Sequence, residues 1–584
     1  MTTVRVWAPI PRRVELLLEG ERREMQHASG GWWEADVSDA APGTDYGFVL
    51  DGVGPFPDPR SPWQPAGVDG PSRSVEHAAF PWTDRGWRAA PLASAVLYEL
   101  HVGTFTPAGT FESAIERLDH LVDLGVTHVE LMPVNEFAGD RGWGYDGVLL
   151  FAPHHAYGGP AGLKRLVDAC HARGLAVVLD VVYNHMGPTG NYLPHFGPYV
   201  TERHRTPWGG AINLDGPGSD EVRRFVVDNA LGWLRDYHVD ALRLDAVHAI
   251  VDTSAVHLLE QLSDEVEALE SHLGRPLALI AESDLNDPRL VRSREVGGYG
   301  LDAQWNDDAH HALHVALTDE RDRYYADFHG LPDFSRALLE NYAYGGRLSE
   351  FRGRRHGRPA SDLPASRFVA FLQNHDQVGN RAAGERLSML VGDDLLAAGA
   401  ALLLLSPFVP LLFMGEEWAA GSPFLYFTDH PPELGEAIRA GRQAEFAAGG
   451  DPSLRVPDPQ NPTTFEDSKL DWSEVAGRRG ARMLAWYRAL VALRRSRPDL
   501  AAGRHAGLAV EQDASGTWIV VRRGDVVLAS NLGDLPCRVT FDGAGTGRLL
   551  LSWGAPPRVV GDGEAVELGP RSTSVVEAPT GHAG

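Results

Sequence analysis

The segment GLKRLVDACHARGLAVVLDVVYNH, residues 162–185, sets a helical pattern directly before a continuous apolar strand, with polar side chains following at the strand's end. A strand without polar alternation is covered on both faces, and helical crossovers join parallel neighbours. The same unit recurs along the chain. Strands are predicted at AVLYEL (95–100), THVELMP (127–133), AVVLDVV (176–182), ALRLDAV (241–247), LALIAE (277–282), LDAQWN (301–306), RFVAFLQN (367–374) and VPLLFMG (409–415). Helical patterns such as SAIERLDHLVDLG and EVRRFVVDNALGWLRDYH lie between them. Eight such units in about 400 residues favour a closed (β/α)8 barrel over an open sheet. The alternative, a doubly wound sheet, lacks support because no glycine-rich phosphate loop follows the first strand.

Outside the barrel the texture changes. Residues 1–90 alternate short apolar runs (VRVWAP, RVELLL, GGWWEADV, DYGFVLDG) with Gly, Pro and Asp, which predicts a small N-terminal β-sandwich of immunoglobulin-like type. Residues 91–498 form the expected barrel domain, closed on its outside by the helical segment ARMLAWYRALVALRRSRPD. From 499 to 584 the alternation returns (TWIVVRRG, VVLASNL, CRVTF, RLLLSW, STSVVEA) and predicts a C-terminal antiparallel β domain.

Composition narrows the function classes. The 584 residues carry a formal charge of −26, which repels phosphate backbones and anionic membrane surfaces, so neither nucleic acid nor membrane is an expected partner. Cys170 and Cys537 are far apart and read as separate thiols, which removes a disulfide framework and a cysteine-rich zinc site. The opening MTTVRVWAPI has no basic-then-apolar leader, and the longest apolar run, near Leu402–Met414, is interrupted by Ser406, Pro407 and Pro410. A cytoplasmic enzyme is the expectation.

Chemistry in a parallel barrel gathers at the C-terminal ends of the strands. Asp245, Glu282 and the pair His375–Asp376 all fall there. Three acids converging on one mouth suit cleavage of a glycosidic bond. One carboxylic acid must protonate the leaving oxygen, and a carboxylate must attack the anomeric carbon or direct water to it. Glu282, emerging from an apolar strand, suits a raised pKa; Asp245 has Arg243 on the same strand face to keep it ionised. Asp376 can brace sugar hydroxyls. Trp143 and Tyr145 in RGWGYDG (141–147) are platforms for a sugar ring, and His185 and His375 are donors to hydroxyls. The pair Asn184–His185 could instead be associated with a metal.

DVVYNH (180–185), LRLDAVH (242–248), LIAES (279–283) and FLQNHDQ (371–377) resemble, in order and strand-end placement, the four conserved regions of the α-amylase family, glycoside hydrolase family 13. The resemblance covers about residues 95 to 490. It implies Asp245 as nucleophile, Glu282 as proton donor and Asp376 as transition-state stabiliser, with retention of configuration and the first two acids about 5–5.5 Å apart. It also implies that Tyr145, His185, Arg243, His248, Gln373, Asn374, His375 and Gln377 line the substrate site. YELHVGTFTPAGTF (98–111), HRTPWGGAINLDG (204–216), WNDDAHHALHVAL (305–317) and GEEWAAGSPFLYFTDH (415–430) are similar to the trehalose-releasing branch of that family. That similarity adds Asp307, Asp308, His310 and His311 near substrate; the adjacent histidines could instead be a solvated helix start. It implies an α-glucan with a trehalose end as substrate, and an enzyme that builds that end as the pathway partner. Neither a cofactor nor a metal is expected. A branching enzyme of the same family and a non-catalytic glucan-binding protein are the competing expectations.

Overall fold

The computed structural model describes residues 3–207, 209–448, 456–501, 503, 507–561 and 565–578; Trp208, in one of the segments singled out above, lies outside them. Eight strands run in chain order: β1 Leu97–Leu100, β2 His128–Leu131, β3 Ala176–Val181, β4 Ala241–Leu244, β5 Ala278–Ala281, β6 Ala303–Trp305, β7 Phe368–Phe371 and β8 Val409–Phe413. Each pairs in parallel with its sequence neighbour, and β8 returns to β1 with Leu411, Leu412 and Phe413 opposite Leu97, Tyr98 and Glu99. The closed barrel is the predicted one, strand for strand.

Alternate residues of a strand face the same side. Leu97, Val178, Ala241, Ile280, Ala303, Val369 and Val409 therefore point inward and pack as a core cluster of their own. Two positions further along the same strands stand Glu99, Asp180, Arg243 and Glu282. The period of two thus lays a charged layer on an apolar floor at the C-terminal mouth. The strands are shorter than their sequence signatures. β4 stops at Leu244 rather than Val247, because Ala246 takes a left-handed backbone conformation (φ 39°) that breaks the ladder.

Antiparallel sheets flank the barrel. Two precede it within residues 3–73, and two follow within 508–577, of five and three strands. The short strands Glu21–Glu24 and Gln26–His27 carry mostly exposed polar side chains and give no apolar alternation to read. The helix Arg478–Ser496 lies on the barrel's outside. It buries Met483, Trp486, Tyr487, Leu490 and Val491, and Trp486 Nε1 donates to Ala397 O at 2.9 Å. Cys170 is a buried free thiol and Cys537 a half-buried one. Among the described residues, no helix is long and apolar enough to cross a membrane.

Candidate active site

Asp245 sits one residue past β4, its N–H bonded to Val181 O of β3. Arg243 Nη1 donates to its Oδ1 at 2.9 Å, and Asn184 Nδ2 donates to its Oδ2 at 2.6 Å. Arg243 is wholly buried. The same Nη1 donates to both oxygens of Asp180 (2.9 and 2.8 Å), the guanidinium lies 4.3 Å from the centre of the Trp305 ring, and Nη2 stands 3.7 Å from Glu282 Oε2. One arginine therefore serves as the common cation of three carboxyl groups, two of which, Asp180 and Glu282, are pushed towards their neutral forms by burial.

Glu282 follows β5. Its Oε2 accepts the Ala246 N–H at 2.6 Å, an interaction made possible by the left-handed turn at Ala246 that follows Asp245. Burial pushes the Glu282 carboxyl well above the usual range; Arg243 pulls it down, and Asp245 and neighbouring acids push it up again. Asp376 begins the helix His375–Gly379 beyond β7 and is nearly half exposed, with Asn380 Nδ2 donating to its Oδ1 at 3.1 Å. With Trp143, Tyr145, His185, His248 and His375, these three acids line one open cleft of about 470 Å³.

His375 is held by β1. Glu99 accepts its N–H at 2.9 Å and its Nδ1 at 2.5 Å, and Tyr145 Oη stands 2.7 Å from its Nε2. Burial lowers its pKa, but Glu99 and Asp376 raise it further, to about 9. The imidazolium donates from both nitrogens, which leaves the Tyr145 hydroxyl proton for Asp180 Oδ2 at 2.5 Å. Asp180 is itself raised to about 6, chiefly by burial. Glu130, on β2 beneath this layer, is buried without a hydrogen-bond partner and its carboxyl is raised well above the usual range by burial and by Glu99.

Other predicted residues fall differently. The Trp143 ring stacks one face on Phe424 (5.2 Å, 18°) and its N–H goes to Leu425 O, and it forms a wall of the cleft. Gly144 sets this loop: at φ +97° it approaches Pro133 O so closely that a Cβ would lie 2.1 Å away. His185 Nδ1 is bonded to Asn184 Oδ1. The Asn184 amide is thus engaged on both sides, its nitrogen on Asp245 and its oxygen on His185.

Asp307 and His311 open onto a narrow recess beside the cleft, shared with Asp284, Tyr324, Phe351 and Arg352. Burial, then Asp284 and Asp376, raise Asp307 to about 7. Asp308 accepts Asn286 Nδ2 and Tyr344 N (2.9 and 2.7 Å) and anchors the recess wall. His310 packs on Phe371 in the core, and neither it nor His311 is a solvated helix start. Gln373 faces away from the cleft, bonded to Glu416 and Leu387 N, and Asn374 caps the helix by accepting Gln377 N. Asn374 thereby starts the helix that carries Asp376, while Gln373 ties the end of β7 to Glu416 and Leu387. Gln377 accepts Tyr324 Oη at 3.0 Å and lines a second recess. Glu99, Asp180, Asp146, Asp284 and Tyr426 belong to the site or its support and were not singled out from the sequence. Glu99 and Asp180 were detectable as acids at inward positions of otherwise apolar strands.

Comparisons with known proteins agree with this architecture. The α-amylase catalytic domain family matches residues 80–198, and a family described as a domain of unknown function matches residues 503–575. The chain is 54% identical to a malto-oligosyltrehalose trehalohydrolase of Arthrobacter ramosus, covering 94% of this chain and 95% of that one. It is 50% identical to one from Mycobacterium tuberculosis, covering 99% of each. A Salmonella typhimurium structure, provisionally an α-amylase, superposes with a TM-score of 0.91 at 42% identity, covering 99% of this chain and 97% of that one. A glucan branching enzyme of Photobacterium profundum is 31% identical over 49% of this chain and 45% of its own length.

Proposed function

Because the chain belongs to the malto-oligosyltrehalose trehalohydrolase family of glycoside hydrolases, we propose that it cleaves the α-1,4 bond next to the trehalose end of malto-oligosyltrehalose, releasing trehalose and a malto-oligosaccharide. Asp245 is the nucleophile, Glu282 the acid and base, and Asp376 the acid that grips sugar hydroxyls.

Protonated Glu282 gives its proton to the glycosidic oxygen as the bond to trehalose breaks. Asp245 attacks the anomeric carbon and forms a glycosyl ester. Water then enters, Glu282 takes its proton, and the ester bond breaks with a second inversion, so configuration is retained. The observation that carries this assignment is the Arg243 contact set: the guanidinium touches Asp245 at 2.9 Å and approaches Glu282 at 3.7 Å, placing the two acids on one cation. Their environments divide the roles. Glu282 is kept neutral by burial, while Asp245 is held in place by Arg243 Nη1 and Asn184 Nδ2, one donor on each oxygen.

The cleft of about 470 Å³ continues past the three acids to Asp146, His248, Asp284 and Tyr426, which supports room for glucosyl units beyond the scissile bond, including a trehalose end with its α,α-1,1 linkage. The expected pathway partner is malto-oligosyltrehalose synthase, which supplies that linkage. Two unpaired cysteines suit the cytoplasm.

Incubation with malto-oligosyltrehalose beside maltopentaose tests the reading. Free trehalose, released much faster than maltopentaose is cut, supports it. Equal rates point to a general amylase, and new 1,6 branches in amylose point to a branching enzyme.

A further inference from the structure

The excursion that follows β2 runs out through Asn135–Glu136, returns through Leu149–Pro153 and ends on His154 and His155. Its two limbs bring Glu136, His154 and His155 together, one ligand atom of each within 4.8 Å of the other two. The Glu136 and His154 side chains are wholly buried, and Glu136 Oε1 stands 3.2 Å from His154 Nδ1 and 2.7 Å from His155 Nδ1. Around a tetrahedral ion with bonds of about 2.0–2.1 Å, ligand atoms stand roughly 3.3 Å apart. Both carboxylate–imidazole separations lie within about 0.6 Å of that spacing.

Three further observations point to a ligand. His154 Nε2 has no hydrogen-bond partner although the side chain has no access to solvent, and its Nδ1 faces only Glu136 Oε1, at 3.2 Å; such groups are rare because each costs the desolvation of a polar atom. Glu136 Oε2 accepts the His155 N–H at 2.9 Å, which fixes the carboxylate and leaves Oε1 turned to the two rings. His155 Nε2, the nitrogen on the far side of its ring, is 3.1 Å from Asp140 Oδ1. A carboxylate behind the distal ring nitrogen is the usual support of a metal-bound histidine. Phe137 stacks on the His154 ring at 3.8 Å and holds its plane.

We propose that Glu136, His154 and His155 form a binding site for a divalent transition-metal ion of the zinc type. Two imidazoles and one carboxylate match Zn²⁺ and its borderline-soft neighbours; calcium and magnesium take oxygen ligands. The ion clips the two limbs of the hairpin together. The intervening segment carries Trp143, Tyr145 and Asp146 to the cleft wall, so the clip holds that wall without touching the reacting atoms. It is independent of the reaction assigned to the cleft.

The test uses full-length protein stripped with EDTA and titrated with Co²⁺, whose visible d–d absorption reports a nitrogen–oxygen site of low coordination number. Wild type takes up one saturable equivalent. His155→Gln weakens that uptake at least about tenfold, and Asp140→Asn, at a largely exposed position, weakens it by about tenfold while the fold is intact by circular dichroism. Zn²⁺ raises the thermal midpoint of wild type and not of His155→Gln. The separate cluster of His310, His311 and His314 is the rival binder, so His314→Gln leaves the equivalent unchanged. Full-affinity Co²⁺ uptake by folded His155→Gln, loss of uptake in His314→Gln, or no saturable uptake by wild type below millimolar Co²⁺ overturns the proposal.

Discussion

Arg243 has no solvent contact and faces Asp180, Asp245 and Glu282, so each acid's protonation depends on the others through one guanidinium. Asp245→Asn removes the attacking anion and keeps an acceptor for only one of its two donors, Arg243 and Asn184. Turnover should fall by at least about 10³-fold while substrate binding stays measurable by calorimetry; near-normal hydrolysis would remove Asp245 from the nucleophile role. The neighbouring positioning group is Glu99. Glu99→Gln still accepts the His375 ring N–H, yet loses the charge that lifts this imidazole to about 9. The His375 pKa, followed by NMR of the ring, should drop by about one unit or more, and the alkaline limb of kcat/KM should move down with it. An unmoved titration would mean that Glu99 only packs. The three mouth acids were legible because a rule about barrels gives meaning to an acid at a strand's end. Glu99 and Asp180 follow the same rule one step lower, inside the strands AVLYEL and AVVLDVV, where they read as exceptions to apolar runs. Nothing local distinguishes Gln373 and Asn374, which turn away from the cleft, from His375, which faces it; the turn from strand to helix decides that.

At the scale of elements, the eight barrel strands were legible because burial on both faces leaves a run of apolar residues that few other structures need. Their exact ends were not: β4 and β5, for example, leave the ladder just before Asp245 and Glu282. The hairpin after β2 was also hidden: Glu136 and His154 meet only once its two limbs pair, and no periodicity announces that. The helix Asp393–Leu404 shows another relation invisible in sequence. It and the residues after it leave carbonyl groups buried at Leu404, Ser406 and Phe408, and Arg494 of the helix Arg478–Ser496 donates to all three at 2.8, 2.9 and 2.6 Å. Arg523, from the C-terminal sheets, shares the Ser406 carbonyl at 2.7 Å. Arg494 faces no acid, and burial lowers it to about 9; its work is to satisfy acceptors that water cannot reach. Arg494→Met should therefore cost about 3–5 kcal/mol, read as a lower urea midpoint, with the specific activity of the folded fraction preserved. A loss under about 1 kcal/mol would show that water reaches those carbonyls.

Over the whole molecule, the buried titratable groups set how stability follows pH. The imidazoles His77, His101, His128 and His311 are lowered by burial to about 4, 3, 4 and 3, so the unfolded chain binds protons there as pH falls below about 6.5 and the folded one does not. The carboxyls Asp180, Asp307, Asp308 and Glu416 are raised, again chiefly by burial, to about 6, 7, 6 and 8, and hold protons in the folded state that the unfolded chain has released above about 4. The two sets oppose one another between about pH 4 and 6 and leave stability nearly level there. Above about 6.5 the histidines of the unfolded chain are neutral and drop out. His375, raised to about 9, and Glu416, raised to about 8, then keep protons that the unfolded chain lacks. Each such group makes the folded state lose about 1.4 kcal/mol per pH unit as pH rises through this window. Lys164 acts in the opposite sense, but only above its lowered value of about 8. The thermal midpoint should consequently fall between about pH 6.5 and 8. Glu416 accepts Tyr487 Oη at 3.0 Å and so ties the Arg478–Ser496 helix to the end of β8; Glu416→Gln keeps a partner for that hydroxyl while removing the titration. Its midpoint should fall less steeply over the same interval. A midpoint that is flat or rising in wild type, or an equal slope in the variant, would place the retained protons elsewhere.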